Sequence, residues 1–196
     1  MHQAPMRYVR SLCLSLLLAV SLGARAAVIE GQHFEDRIRL ADTELVLNGV
    51  GLRAVAWFKG YAAGLYVGEK SSSPDAVLAQ KGPKRVRMRM MVEVESKEFV
   101  KAFDKGMRRN LGEAERAALR DRIDRFDRTV AALVTLKKGD VVDLDYLPAR
   151  GLVLSVNGQQ KGDPFDGEAF FAAILKIFIG SDPVDSRLKA GLLGKA

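Results

Sequence analysis

The chain has 196 residues, 48% hydrophobic and 28% charged, with a formal net charge of +7 and one cysteine, Cys13. A lone cysteine excludes an internal disulfide, so the fold rests on a hydrophobic core, which about 170 residues are enough to build. Bases and acids are interspersed and no aromatics interleave with the bases, which excludes a stacking platform for nucleic acid and leaves the charge a solubility role.

Residues 1–26 read as a secretory signal. Arg7 and Arg10 are the only charges in the first ten residues, Leu12 to Leu22 is apolar apart from small serines and Cys13, and Ala24-Arg25-Ala26 offers the small residues a signal peptidase reads. The apolar run is about eleven residues, short of the roughly 20 that span a membrane. A retained anchor is the competing reading. Cys13 sits inside the run rather than after a lipoprotein-type cleavage motif, which speaks against a lipid anchor. Cleavage removes Arg7, Arg10 and Arg25 from the +7 chain and leaves +4. The expected product is one soluble, monomeric domain over residues 27–196, with no stable membrane insertion and no nucleic-acid partner.

After Ala27 come short extended stretches. Thr43-Glu44-Leu45-Val46-Leu47 reads as a strand that ends in a turn at Asn48-Gly49. Val50 to Val67 is β-like, with kinks or close backbone contacts expected at Gly51, Gly60 and Gly64. Pro74 suits the first turn of a short helix running to Gln80. Arg85 to Glu95 alternates, with Val86, Met88, Met90, Val92 and Val94 on one side and Arg85, Arg87 and Arg89 on the other. That predicts a solvated outer face for the arginine row, with anion binding as the minority reading. Ser96 can cap a helix through Leu111, in which Phe99, Val100, Ala102, Phe103 and Met107 share helical spacing.

A second helix is expected from Glu113, with Leu119, Ile123, Phe126, Val130 and Leu133 as its apolar stripe. On its other faces Asp121, Asp124 and Asp127 stand beside Arg120, Arg122, Arg125 and Arg128, a solvated, salt-bridged surface rather than paired catalytic carboxylates. Val142, Leu144 and Tyr146, then Leu152, Leu154 and Val156, alternate around a turn at Pro148-Ala149-Arg150-Gly151 and read as an antiparallel hairpin. Asn157-Gly158 turns again. A helix is predicted from Gly167 to Ile179, and Asp185 can cap a last short one through Leu193.

Motifs for chemistry are scarce. Beyond the signal only His33 remains as a histidine, and a zinc site would have to be mostly carboxylate, for which no ligand-spaced cluster exists. There is no phosphate loop, nucleophile elbow or dinucleotide fingerprint. The expected complement of metals and cofactors is none. By pattern alone the chain is an exported α+β domain.

Leu47-Asn48-Gly49-Val50-Gly51-Leu52-Arg53 leads into Ala56-Trp57-Phe58-Lys59-Gly60-Tyr61-Ala62-Ala63-Gly64-Leu65-Tyr66-Val67. The stretch resembles the signature of the chalcone isomerase superfamily, N-G-x-G-x-R followed by F-K-x-Y-x-x-G-L-Y. Gly82-Pro83-Lys84-Arg85, Lys138-Gly139-Asp140, Asp143-Leu144-Asp145-Tyr146, Leu154-Ser155-Val156-Asn157-Gly158 and Ile179-Gly180-Ser181-Asp182-Pro183-Val184-Asp185 follow in the order typical of exported bacterial members. The resemblance implies an open-faced β-sandwich, a curved antiparallel sheet covered by a helical layer with a ligand cleft between, and a periplasmic location.

It also implies a site. Arg53 matches the family arginine, and Tyr61 stands where fatty-acid binders carry tyrosine and true isomerases threonine. A guanidinium can grip two carboxylate oxygens and a phenol adds a third donor. The competing reading is that Arg53 pairs with a buried acid of the chain and Tyr61 merely packs. Phe99, Phe103 and Met107 are the expected tail contacts, beside Trp57 or Phe58, of which alternation turns only one inward. Where true isomerases place a tyrosine and, seven residues on, an asparagine, this chain has Phe99 and Gly106, so neither holds a water or donates from its side chain. The leading expectation is a non-catalytic binder of a fatty acid or similar amphipathic carboxylate. The alternatives are an isomerase or intramolecular lyase acting on an unsaturated ketone or acid, and a structural or interaction protein with a vestigial cleft.

Overall fold

The structure, a computed structural model, describes residues 26–55 and 58–195. The expected signal lies outside them except for its last residue, and so does Trp57. Strands β1 (Ala26–Ile29) and β2 (Gln32–Glu35) form a hairpin, followed by β3 (Arg37–Leu40), β4 (Thr43–Val55) and β5 (Phe58–Val67). Helix α1 (Pro74–Ala79) precedes β6 (Lys84–Met90) and the short β7 (Val94–Glu95). Helices α2 (Ser96–Asn110), α3 (Glu113–Ala118) and α4 (Arg120–Ala131) come next. The chain closes with β8 (Thr135–Leu136), β9 (Val141–Leu147), β10 (Gly151–Val156), β11 (Gln159–Gln160), α5 (Glu168–Ile179) and α6 (Ser186–Leu192).

Seven strands make one antiparallel sheet in the order β11-β10-β9-β6-β5-β4-β3, covered on its inner face by α2, α4, α5 and α6. This is the α+β, open-faced sandwich that the resemblance implies. Period-two alternation puts Val86, Met88, Met90, Val142, Leu144, Leu152 and Leu154 inward, all buried against the helices. Helix α5 is buried on most of its circumference, including Phe170, Phe171 and Ile174, which makes it the central helix of the layer.

The outer face is not the solvated surface expected. The β1–β2 hairpin lays Phe34 across it, and Phe34, Leu45, Leu47, Ala62 and Tyr66 form a second core. Arg85 and Arg87 lie between 14 and 16% exposed beside Asp145 and Asp143, which register directly opposite on β9. Arg85 donates from Nε and Nη2 to Asp145 at 2.5 Å, and Arg87 likewise to Asp143 at 2.8 Å. Arg85 and Arg87 of the row are thus bidentate ion pairs, whereas Arg89 lies over the Phe34 ring, 5.4 Å from its centroid.

Asn48-Gly49 is not a turn either. β4 runs through it with a register shift, and the buried Asn48 side chain donates to the carbonyls of Leu192 (2.7 Å) and Ser71 (3.0 Å) while accepting from the Ser71 amide (2.7 Å). A bulge here lets one side chain tie the strand to α6 and to a loop. Gly49 lies where α6 crosses: a Cβ would stand 2.1 Å from the Gly191 carbonyl oxygen, so the two backbones touch.

The expected strand from Arg85 to Glu95 ends at Met90, and Val94–Glu95 pairs with Thr135–Leu136 instead. Ser96 is the first residue of α2 rather than its cap. Its amide donates to the Val134 carbonyl and its hydroxyl to that of Ala131, which joins the start of α2 to the end of α4. The helix expected from Glu113 breaks at Leu119 into α3 and α4, yet its apolar stripe survives intact, with Leu119, Phe126 and Val130 buried. The hairpin at Pro148–Gly151, α1, α5 and the Asp185 cap of α6 form as expected.

The aspartate–arginine face of α4 is less uniform than its sequence. Arg122 pairs with Asp166 at 2.7 Å and Arg125 covers the Phe165 ring, so these arginines hold the segment before α5. Asp127 turns inward: its Oδ1 is buried without a partner among the described residues. Burial, then Asp104 on α2 and Asp124, push its carboxyl up to about 7, against a smaller pull from Arg128. The unfolded chain ionises this group near 3.8, so the folded state holds the extra proton and stability falls as pH rises from about 4 to about 7. Urea unfolding of Asp127→Asn across pH 4–8 is expected to show a shallower slope and higher stability above pH 7.

Candidate functional site

Arg53 and Tyr61 face each other across the β4–β5 pair, just before the register shift at Arg53/Ala54. Antiparallel pairing puts directly opposed side chains on one face, and here that is the helix-covered side. The Arg53 side chain is 26% exposed, at the mouth of the cleft. Its Nη1 donates to the Ala54 carbonyl at 3.1 Å and lies 3.4 Å from Asp185 Oδ2. Asp185 is the acid that sequence reasoning read only as a helix cap, and it is 9% exposed. Nothing local links the two, which are 132 residues apart.

Tyr61 sits one layer deeper, 9% exposed. Burial raises its hydroxyl well above the ordinary phenol range, while the nearby Arg53 charge pulls it down by less. It is therefore a neutral donor throughout the physiological range. Phe99 of α2 stacks on it with ring centroids 6.3 Å apart.

Behind this pair lies an apolar cavity of about 80 Å³, several times the roughly 10–15 Å³ a water needs. Tyr61 and Met88 line it from the sheet, Phe99 and Phe103 from α2, Phe126 from α4 and Ile177 from α5. Phe103 and Phe126 close it from the helix side, with centroids 4.5 Å apart. Ala102 and Val184 line both this cavity and the polar cleft that contains Arg53, so the two spaces meet there. The cleft carries Arg53, Lys97, Lys101, Lys105 and Arg109 against Glu93, Glu95, Glu98 and Asp182.

Of the five residues expected from sequence, four are brought to these connected spaces: Arg53 at the mouth, and Tyr61, Phe99 and Phe103 around the cavity. Met107 is 1% exposed in the main core and is not among the lining residues. The choice between Trp57 and Phe58 falls on side chains outside the described residues. Met88, Leu144 and Leu154 were missed although strand alternation puts them on Tyr61's face; Ile177 and Phe178 of α5 carried no signal beyond being apolar. Gly106 packs on α5, where a Cβ would stand 2.7 Å from an Ile177 methyl. Among the described residues no group of three His, Cys, Asp or Glu could hold a metal ion.

The sequence profile described as chalcone isomerase-like matches residues 26–194. The chain belongs to the chalcone isomerase-like family. A comparison with curated proteins returned no match. Among solved structures, a fatty-acid binding protein of Arabidopsis thaliana superposes with a TM-score of 0.67 at 17% identity, over 86% of this chain and 96% of that one. At that identity the likeness establishes the chalcone isomerase-like fold. In this family member the N-G-x-G-x-R segment therefore has two tasks. Asn48, Gly49 and Gly51 seat α6 on β4, and Arg53 reaches the cleft beside the acid that caps the same helix.

Proposed function

We propose that this chalcone isomerase-like chain is a non-catalytic binding protein for a fatty acid or similar amphipathic carboxylate, working in the periplasm after loss of residues 1–26. The observation that carries the reading is the junction of an arginine-bearing mouth with an apolar cavity at Ala102 and Val184, with the neutral Tyr61 on the cavity wall and opposite Arg53 across the strands. A charge-assisted bond from Arg53 contributes about 1.5–3 kcal/mol. Each buried methylene of a tail adds about 0.8 kcal/mol, so the tail supplies most of the affinity and the head fixes its direction. The relative in Arabidopsis thaliana is described as a fatty-acid binder, which accords with this.

The isomerase alternative loses ground at two positions. Phe99 is committed to stacking on Tyr61, and Gly106 has no room for an asparagine beside Ile177. Neither side chain offers a donor for an enone or its water.

Native mass spectrometry of the exported protein tests the proposal. The expected spectrum carries an adduct of fatty-acid mass, and Arg53→Ala weakens retention about 10- to 100-fold. A mass that stays bare after incubation with mixed fatty acids overturns it, and turnover of an enone would replace it with the isomerase reading. An N-terminus at Ala27 in the same spectrum is the expected mark of export.

A further inference from the structure

Two arginines in this chain grip carboxylates in the same manner. Arg85 and Arg87 each use the Nε–Nη2 edge for a bidentate contact, to Asp145 and to Asp143. In each, Nη1 is left nearer a second acid, 3.7 Å from Asp143 for Arg85 and 3.8 Å from Glu35 for Arg87. One guanidinium thus serves two carboxylates in this protein, one on its planar edge and one at its remaining nitrogen.

Arg53 shows only the second half of that pattern. Its Nη1 is taken by Asp185 at 3.4 Å and by the Ala54 carbonyl at 3.1 Å. Among the described residues nothing accepts from its Nε–Nη2 edge. Asp185 is itself held firmly: Oδ1 accepts from the amides of Arg187 (2.8 Å) and Leu188 (3.0 Å), which leaves Oδ2 for Arg53. The helix it caps is seated on β4 by direct backbone contact at Gly49 and Gly191. The acid is therefore fixed relative to the strand that carries the arginine.

We propose that Asp185 is a positioning residue for the ligand's head group. It holds Arg53 through Nη1 so that the Nε–Nη2 edge stays open to the cleft and donates to both oxygens of a carboxylate. The site then selects acids over esters and alcohols, because only an ionised carboxylate fills both positions of the edge. Asp185 repels an incoming anion, as Glu35 repels Asp143 across Arg87, but the pre-set guanidinium loses less freedom on binding. The proposal rests on the carboxylate-binding reading above.

The test compares dodecanoate with its methyl ester on wild type, Asp185→Asn and Arg53→Ala. Asparagine keeps an acceptor for the helix cap and removes the charge. The expected result is that Asp185→Asn weakens dodecanoate binding about tenfold but ester binding by no more than about twofold, collapsing the acid-over-ester ratio. Unchanged or tighter dodecanoate binding overturns the proposal, since Asp185 would then be only a cap or a competitor. Equal losses for both ligands also overturn it, as the sign of damage to the fold. If Arg53→Ala weakens dodecanoate while Asp185→Asn does not, the binding reading stands and this one falls. If wild type binds neither ligand, both fall.

Discussion

Replacing Gly49 with alanine is expected to lower the melting temperature by about 6–12 °C, the equivalent of about 3 kcal/mol or more. The new methyl would stand 2.1 Å from the Gly191 carbonyl oxygen and 2.9 Å from the Gly194 nitrogen. Both are backbone atoms and cannot rotate aside, so α6 has to move. Movement of α6 also breaks the Asn48 bond to Leu192 and carries Asp185 away from Arg53. The loss should therefore appear in ligand binding as well as in thermal unfolding. Gly60→Ala is the control: a Cβ there meets only the Arg53 carbonyl at 3.5 Å, an ordinary contact, and should leave the melting temperature near that of wild type. A Gly49→Ala protein as stable as wild type would show that α6 does not sit on β4.

Asp143→Ala is expected to cost about 3–5 kcal/mol, or about 6–20 °C. Asp143 is 7% exposed and takes both bonds of Arg87, with Arg85 3.7 Å away. Its removal leaves the Arg87 guanidinium against the second core with no hydrogen-bonded acid, only the exposed Glu35 at 3.8 Å. Leaving a partly buried charge unpaired is far more costly than deleting a surface pair. Glu44→Ala gives the contrast, because its pair with Arg37 is 64% exposed at both ends and should be worth less than about 1 kcal/mol. Chemical unfolding of the two variants reads the difference directly, and equal effects would refute the buried-pair account.

The sequence by itself determined most of the local elements and the inner face of the sheet. Val86, Met88 and Met90, then Val142, Leu144 and Leu154, alternate because a strand's side chains alternate, and that period is written residue by residue. The stripe from Leu119 to Leu133 is local in the same sense, and it survived a break in the helix at Leu119. The site arginine and tyrosine were legible through the family resemblance, since a motif keeps its order whatever packs around it.

Only the tertiary structure decided what each polar side chain meets. Period two puts Arg85 and Arg87 opposite the valines and methionines, but not against Asp145 and Asp143, some 60 residues on. It says nothing of a hairpin that lays Phe34 over the outer face, against Arg89. Asn48-Gly49 reads as a turn because most such dipeptides are turns, whereas here the asparagine bonds to Leu192, 144 residues away. Asp127 looks identical to Asp121 and Asp124 until α2 brings Asp104 to it. Arg53 acquires Asp185 in the same way, when α6 folds back across β4. Backbone periodicity is set by each residue and its immediate neighbours; the partner of a charge is set by which distant segment the core draws alongside it.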